Sequence, residues 1–283
     1  MRLNPFNTGN IDVRGGGGGG IGKGGVGCGA IVIAAIGAIF FGLDPMDTLS
    51  TVQGVQEQTG SSQSADMTEQ ELCTQNQYAT ESCNALQSLN ATWSNVFAEQ
   101  NVSGFQPPFL NFYSGGVRSG CGAASSAAGP FYCPADGGIY IDTGFYDQLD
   151  RQLGAPGDFA RYYVMAHEYG HHIQNLTGIA AQIRSLQGQD RRNANRLQVL
   201  MELQADCYAG VWAGRNRNLI EPGDIEEGLR AASAIGDDTL MRGQGQRVNP
   251  ESFTHGTSQQ RMQALQLGLQ GDDRQCDRIT QVG

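Results

Sequence analysis

The sequence predicts an α+β protein that is mainly helical, contains a small β-sheet and carries one membrane-spanning helix near its N-terminus. Residues 24–43 form an uncharged, largely apolar segment. In residues 109–142, short runs of aromatic and aliphatic side chains are broken by glycine and proline, as in short strands. From residue 144 onward, apolar side chains recur at helical spacing, so a helical region follows the strands.

The first element is the apolar segment, GGVGCGAIVIAAIGAIFFGL. Its 20 consecutive uncharged residues match the roughly 20 that a helix needs to cross a bilayer. A cleavable signal peptide is the alternative, but no convincing cleavage site of small residues follows Phe41. We therefore predict a retained transmembrane helix.

Flanking charges predict the orientation of this helix. The residues before it include three basic side chains and one acidic one: Arg2, Arg14, Lys23 and Asp12. Two aspartates, Asp44 and Asp47, follow it. This asymmetry predicts a glycine-rich cytoplasmic leader (residues 1–23), one crossing of the inner membrane, and the rest of the chain on the periplasmic or extracytoplasmic side. Residues 44–67 are polar and are predicted to form a linker, and residues 68–283 form the domain.

Beyond the membrane segment, residues 44–283 carry 15 basic and 27 acidic side chains, a net charge of −12. Such a surface repels phosphate backbones, which argues against nucleic acid as a partner.

Within the domain, residues 68–101 are predicted to be helical and to precede the strands. The later helices are predicted, with loose boundaries, at residues 145–153, 158–177, 193–216, 222–235 and 257–268.

Six of the seven cysteines lie outside the apolar segment, an even number that suits three disulfides in an oxidising compartment. Six cysteines allow 15 pairings, and we favour the local set: Cys73 with Cys83, Cys121 with Cys133, and Cys207 with Cys276. A metal site formed by cysteines or free buried thiols are alternatives, but no CxxC pair supports such a metal site.

The helix at residues 158–177 contains the string HEYGH. At 3.6 residues per turn, His167 and His171 share one face and can bind one zinc ion, while Glu168 projects about 100° away, towards a metal-bound water. Two metal ligands and a general base therefore come from one helical turn. A surface helix with solvated histidines is the alternative interpretation.

A catalytic zinc ion usually has a third protein ligand. In VLMELQADCYAGVW, Glu202 and Asp206 lie four residues apart on an otherwise apolar helix, where buried carboxylates need a cation or hydrogen-bond donors. We assign Glu202 to the zinc, and Asp206 to the free ring N–H of a zinc-bound histidine, most simply His167. A solvated acidic face is the alternative.

HExxH followed by ExxAD resembles the gluzincin metallopeptidases, in which two histidines and a downstream glutamate bind zinc and the aspartate supports a histidine. FTHGTSQQRMQAL, residues 253–265, is similar to a segment of membrane-associated members. Together with the glycine-rich leader, the apolar anchor and AGPFYCPADGGIYID, these features resemble the bacterial neutral zinc metallopeptidase family. The resemblance spans nearly the whole chain and implies a zincin-like fold and proteolysis.

Two further histidines remain. The resemblance implies that His255 donates a hydrogen bond to the oxyanion of the tetrahedral intermediate. It could equally cap the next helix or pack against Arg261. His172 points a quarter turn away from His171 and is predicted not to bind zinc.

The predicted function is therefore that of a membrane-anchored zinc endopeptidase acting on a protein or peptide substrate, with Glu168 as general base. Residues 137–142 (GGIYID) are predicted to form the sheet edge that pairs with an extended substrate. A zinc hydrolase of a non-peptide substrate and a catalytically idle scaffold are the alternatives. An intact Glu168 argues against the scaffold, because a structural zinc needs no base.

Overall fold

The computed structural model describes residues 1–16 and 67–281. Their strands are β1 Val13–Gly15, β2 Phe109–Tyr113, β3 Gly116–Ser119, β4 Gly122–Ser125, β5 Phe131–Cys133 and β6 Gly138–Asp142. Their helices are α1 Glu69–Thr74, α2 Gln77–Glu99, α3 Gly144–Arg151, α4 Asp158–Leu176, α5 Ile179–Gln189, α6 Ala194–Arg215, α7 Asp224–Ala234, α8 Asp237–Gly243, α9 Ser258–Gly268 and α10 Arg274–Asp277. This confirms the predicted α+β class.

The predicted transmembrane helix, residues 24–43, lies outside the described residues, as do residues 17–23 of the predicted leader and residues 44–66 of the predicted linker. Among the helices of residues 1–16 and 67–281, none has both the length and the apolar character required to span a bilayer.

The four-stranded sheet has the order β1-β2-β6-β5. Strands β1, β2 and β6 are parallel, whereas β5 runs antiparallel to β6. The prediction that residues 137–142 form an edge strand is therefore wrong, because β6 pairs on both sides. In this sheet the edges are β1 and β5, while β3 and β4 form a separate hairpin.

Residues 1–16 pack against the domain instead of standing apart as part of a leader. Val13 pairs with Leu110, and the Leu110 N–H donates to the carbonyl of Asp12 at 2.9 Å. Met1 is buried, and its ammonium lies 2.9 Å from Asp224 and 3.1 Å from Asp158. The prediction that the globular part begins near Thr68 misses this strand, which pairs with a partner almost 100 residues later.

The helices follow the prediction with four changes. Residues 68–101 form two helices, because Asn76 accepts a hydrogen bond from the Ala79 N–H and begins α2 anew. Helices α5, α8 and α10 were not predicted. Helix α5 begins directly after Gly178, whose φ of 80° ends α4 in the left-handed region that favours glycine.

The three predicted disulfides are all present: Cys73–Cys83, Cys121–Cys133 and Cys207–Cys276. The last of these ties the C-terminal segment to α6.

Helices α4 and α6 cross at close range. A Cβ atom on Gly170 would lie 2.9 Å from the Ala205 Cα atom, so only glycine allows this approach. Helix α9 approaches α6 equally closely only two residues further along, where a Cβ atom on Gly268 would clash with the Cys207 carbonyl oxygen. These two contacts hold α4, α6 and α9 together around one buried polar cluster.

Candidate active site

The site begins with the two histidines of α4 and the glutamate of α6. His167 Nε2 lies 3.2 Å from one Glu202 carboxylate oxygen, and His171 Nε2 lies 3.6 Å from the other. Donor atoms bound tetrahedrally at zinc distances are about 3.3 Å apart. The three side chains offer ligand atoms within 4.8 Å of one another, so they fit one zinc ion.

Glu168 lies beside these three residues and is 8% exposed. Burial raises the pKa of its carboxyl group, and the positive charges of His167 and His171 oppose that rise. Its carboxylate makes no hydrogen bond to another described residue. Because the only fully enclosed side-chain polar atom without a partner in the described chain is Trp93 Nε1, the Glu168 oxygens retain access to solvent. The carboxylate is therefore free to take a proton from a water molecule.

Asp206 supports His167 from behind. Its Oδ1 atom lies 2.8 Å from His167 Nδ1, as the spacing of ExxAD predicted, and therefore sets which ring nitrogen faces the metal. Arg261 of α9 holds the same carboxylate with Nε and Nη2 at 2.8 and 2.9 Å. The Tyr163 hydroxyl donates to it at 2.5 Å.

This network controls the charge state of Asp206. Burial would raise its pKa, but Arg261 and His167 outweigh burial and lower the pKa to about 2. Asp206 is therefore a fixed negative charge over the whole physiological range. From sequence, Arg261 was considered only as a side chain against which His255 could pack. Its ion pair with Asp206 depends on the crossing of α6 and α9, which local sequence does not reveal.

The His171 ring is hydrogen-bonded to an uncharged side chain, that of Gln174. Its Nδ1 atom lies 2.8 Å from Gln174 Oε1, and the Gln174 amide donates to the Met201 carbonyl and to Gln204. Gln174 is fully buried and was missed by the sequence analysis. Its position three residues after His171, on the same helical face, was the available signal.

His255 lies in the loop before α9, which is capped by Thr257 and Gln260. His255 is therefore not the helix cap. Its Nδ1 atom lies 3.1 Å from Asp237 Oδ1, and Asp237 Oδ2 accepts the backbone N–H groups of residues 254–256 at 2.7 to 3.0 Å. Asp237 thus fixes both the loop and the imidazole.

The other ring nitrogen of His255, Nε2, makes no hydrogen bond to a described residue. Burial opposes ionisation of Glu202, but His171, His167 and His255 together hold its pKa well below its usual range. His255 therefore lies within electrostatic reach of the metal ligands, with Nε2 available to a bound molecule. Asp237 was not predicted, because nothing in the spacing of residues 237 and 255 indicates contact.

His172 uses both ring nitrogens elsewhere. Nε2 donates to the Gln106 carbonyl at 2.6 Å, and Nδ1 accepts from the Tyr132 hydroxyl at 3.1 Å. Burial lowers its pKa to about 4, so the ring is neutral. His172 is buried, and it attaches edge strand β5 to the helix of the candidate metal ligands.

Comparison with known proteins agrees with this geometry. The family model described as "Putative neutral zinc metallopeptidase" matches residues 6–279. The chain is 50% identical over 196 residues to "Uncharacterized protein YpfJ" of Escherichia coli (strain K12), covering 68% of each chain. It is 43% identical over 204 residues to "Uncharacterized protein Rv2575" of Mycobacterium tuberculosis (strain H37Rv), covering 67% of each chain. No solved structure matches.

Proposed function

The chain belongs to the putative neutral zinc metallopeptidase family, whose cofactor is zinc, and we propose that it is an endopeptidase that hydrolyses peptide bonds of protein substrates. One observation carries the proposal. His167, His171 and Glu202 converge on one point, and Glu168, beside them, has no other described partner. Three ligands with an adjacent free base are the arrangement of a catalytic zinc site, because a structural site is closed by a fourth ligand.

Zinc, when bound, makes water more acidic and polarises the substrate carbonyl. Glu168 takes the proton from the attacking water and then gives it to the leaving amine. When both of its ring nitrogens are protonated, His255 donates one N–H to Asp237 and the other, from Nε2, to the carbonyl oxygen as negative charge develops there. Such a donor lowers the barrier by about 3 to 4 kcal/mol in comparable sites. Asp237 keeps the His255 ring in the orientation that this role requires.

The zincin-like arrangement implies that an extended substrate lies along a sheet edge beside the catalytic helix. Strand β5 is the edge that fits, because Tyr132 contacts His172 and Asn175 of α4. Its free edge can hydrogen-bond to a substrate main chain. We propose β5, in place of the predicted residues 137–142, as the substrate-pairing strand.

We also propose that residues 24–43 attach the protein to the cytoplasmic membrane, with the catalytic domain on its outer side. The uncharged segment and the three disulfides support this location. The predicted cytoplasmic N-terminus conflicts with the packing of residues 1–16 against the domain. We therefore propose that residues 1–16 also lie outside, in which case residues 24–43 attach the protein to the membrane without the single crossing predicted from sequence.

Thiol labelling tests this orientation. An Asn4→Cys variant of a chain with Cys28→Ser should react with a membrane-impermeant maleimide in intact spheroplasts, because Asn4 is exposed. Labelling only after lysis would return residues 1–16 to the cytoplasm.

The activity is tested by measuring zinc content and cleavage of an unfolded protein by the full-length chain in detergent, beside Glu168→Gln. One zinc in both proteins, with cleavage only by the wild type, is the expected result. One zinc in both with no cleavage by either would favour a non-peptide substrate or a binding role. Absence of zinc from both would refute the site.

A further inference from the structure

Four arginines lie close together on the helical hairpin of residues 178–196, which comprises α5, a short 3-10 turn and the start of α6. All four are exposed, and none of their guanidinium groups pairs with a carboxylate of another described residue: Arg184, Arg191, Arg192 and Arg196. We call this set the arginine hairpin. Asp190 is the only acidic residue of the segment, so the hairpin has a formal charge of +3 in a chain of net charge −10.

Several other exposed arginines have a carboxylate partner. Arg2 lies 2.6 Å from Glu221, Arg151 lies 3.4 Å from Asp147, and Arg274 lies 2.8 Å from Asp272. The arginine hairpin is distinguished by its density of unpaired positive charge, with four such arginines within 13 residues of the chain.

The hairpin joins the two helices that carry the metal ligands. Arg196 precedes Glu202 by six residues on α6, about 9 Å along the helix axis. The Asn195 amide donates to the carbonyl of Glu251 at 2.9 Å, and Glu251 lies four residues before His255. One side of the hairpin therefore adjoins the segment that leads to His255.

The other end of the hairpin follows the part of α4 that contacts the edge strand, where the Asn175 amide donates to the Tyr132 hydroxyl at 3.2 Å. Burial raises the pKa of Tyr132 on β5 to about 12, and the Arg184 guanidinium opposes part of that rise. The arginines consequently lie on the connection between the end of α4 that contacts β5 and the helix of Glu202.

The arginine hairpin is held in place by apolar packing and by a hydrogen bond across its turn. Ala180, Ile183, Leu197 and Met201 form a small buried cluster between α5 and α6. The Gln187 amide donates to the Ala194 carbonyl at 3.1 Å across the turn. The positive charges are thus presented from a packed surface.

We propose that the arginine hairpin binds acidic side chains of the substrate, so that the preferred substrates are polypeptides with Asp or Glu about three to five residues from the scissile bond. This inference rests on the proposed endopeptidase function. The range follows from about 9 Å to Glu202, the reach of an arginine side chain, and about 3.3 Å per extended residue. Arginine pairs with carboxylates through two parallel hydrogen bonds, and positive charge at a cleft also speeds the encounter with an anionic partner.

A substrate explains this surface better than a membrane does, because the hairpin connects the two helices that carry the metal ligands and adjoins the segment that leads to His255. Single ion pairs at a surface are weak. Several acting together therefore predict a preference of roughly tenfold, strongest at low salt.

The test uses the full-length zinc-loaded chain with two fluorogenic peptides that share one scissile core. One carries Asp and Glu at the third to fifth positions on both sides, and the other carries Asn and Gln. The wild type should cleave the acidic peptide with about tenfold higher kcat/KM, mainly through a lower KM. Replacing all four hairpin arginines with Gln should bring this ratio to about one and leave cleavage of the neutral peptide unchanged.

A control variant with Gln at four other exposed arginines changes the net charge equally and should keep the preference: Arg151, Arg230, Arg274 and Arg278. Binding of both peptides to Glu168→Gln, measured by fluorescence anisotropy, should show the same preference without turnover.

Equal kcat/KM for the two peptides, or a preference for the acidic peptide that persists in the hairpin variant, would overturn the inference but not the proposed endopeptidase function. Failure of the wild type to cleave any peptide would count against the proposed function instead. Flotation with phosphatidylglycerol vesicles covers the membrane alternative. Vesicle binding that depends on the hairpin, without any effect on peptide preference, would assign the surface to the membrane and refute the proposal.

Discussion

Gly170 of α4 faces Ala205 of α6 so closely that a Cβ atom on Gly170 would lie 2.9 Å from the Ala205 Cα atom and 2.9 Å from its carbonyl oxygen. Gly170 immediately precedes His171, and Ala205 immediately precedes Asp206. The distance between the two helix backbones at this point therefore sets the distance between the metal ligands on α4 and Glu202 on α6.

Gly170→Ala should weaken zinc binding. The added methyl group meets backbone atoms, which cannot move aside as a flexible side chain can, so the helices must separate. Overpacking of this kind costs about 1 to 3 kcal/mol of stability. We expect a lower Tm and at least a tenfold loss of zinc affinity, measured by competition with a chelator.

Gly188→Ala on α5 is the matched control, because a Cβ atom there would meet nothing within 4 Å. It should leave zinc affinity unchanged. If Gly170→Ala bound zinc as tightly as the control, the helix crossing would not determine the site.

Asp206→Asn should lower zinc affinity by about 10- to 100-fold, as loss of the hydrogen-bonded carboxylate behind a metal-bound histidine does elsewhere. The substitution also leaves Arg261 buried without its counterion. Removing one partner of a buried ion pair costs about 3 to 5 kcal/mol. Chelator competition and denaturant unfolding of the metal-free protein measure the two effects separately.

The double variant Asp206→Asn with Arg261→Met removes the unpaired charge. It should recover much of the stability but little of the zinc affinity. Equal recovery of both would mean that Asp206 acts only through packing, not through His167.

Zinc affinity should rise with pH. In the metal-free protein, burial disfavours a charged His167, but Asp206 and Glu202 outweigh burial and raise its pKa to about 9. Zinc must therefore displace a proton at neutral pH, and the apparent affinity should increase about tenfold per unit from pH 7 to 9. Titrations in buffers of different ionisation enthalpy would count the protons released.

The stability of the metal-free protein should change in the opposite direction. The pKa of His167 is higher in the folded than in the unfolded protein, so its protonation stabilises the fold. This contribution is complete at a pH below the unfolded-state pKa of about 6.5, and it is lost as the pH rises through the folded-state pKa of about 9. A Tm that stays flat from pH 6.5 to 9.5 would show that His167 is already neutral without zinc.

The parts of the site that were predictable are those coded by local periodicity. HEYGH and ExxAD each place side chains one turn apart, so the helix itself brings His167 to His171 and Glu202 to Asp206. Asp237 and Arg261 reach the site only through the packing of α8 and α9. Such contacts between distant segments leave no spacing signal in a single sequence.

In the sheet, too, one property was predictable from sequence and another was not. The strand character of residues 138–142 was predictable from composition, but their interior position was not, because strand order depends on pairing between distant segments. Val13 pairs with Leu110 across the whole predicted membrane segment. A parallel pair of this kind has no turn to mark it.

Replacing His255 should slow catalysis without affecting the metal. Its Nδ1 atom is held by Asp237, its Nε2 atom has no described partner, and its ring does not converge with the ligand atoms of His167, His171 and Glu202. The ring is therefore positioned to donate a hydrogen bond to a substrate and not to bind the zinc. His255→Gln should lower kcat by about 10² to 10³, the usual effect of losing one oxyanion donor, with little change in KM or zinc content.

Asp237→Asn should lower kcat as well, because the Asp237 carboxylate also accepts three backbone N–H groups of the loop. The control is Thr257→Ala, which removes the cap of α9 and should lower the Tm while largely sparing kcat. If His255→Gln lost zinc instead of kcat, His255 would be part of the metal site and the mechanism proposed for it would be wrong.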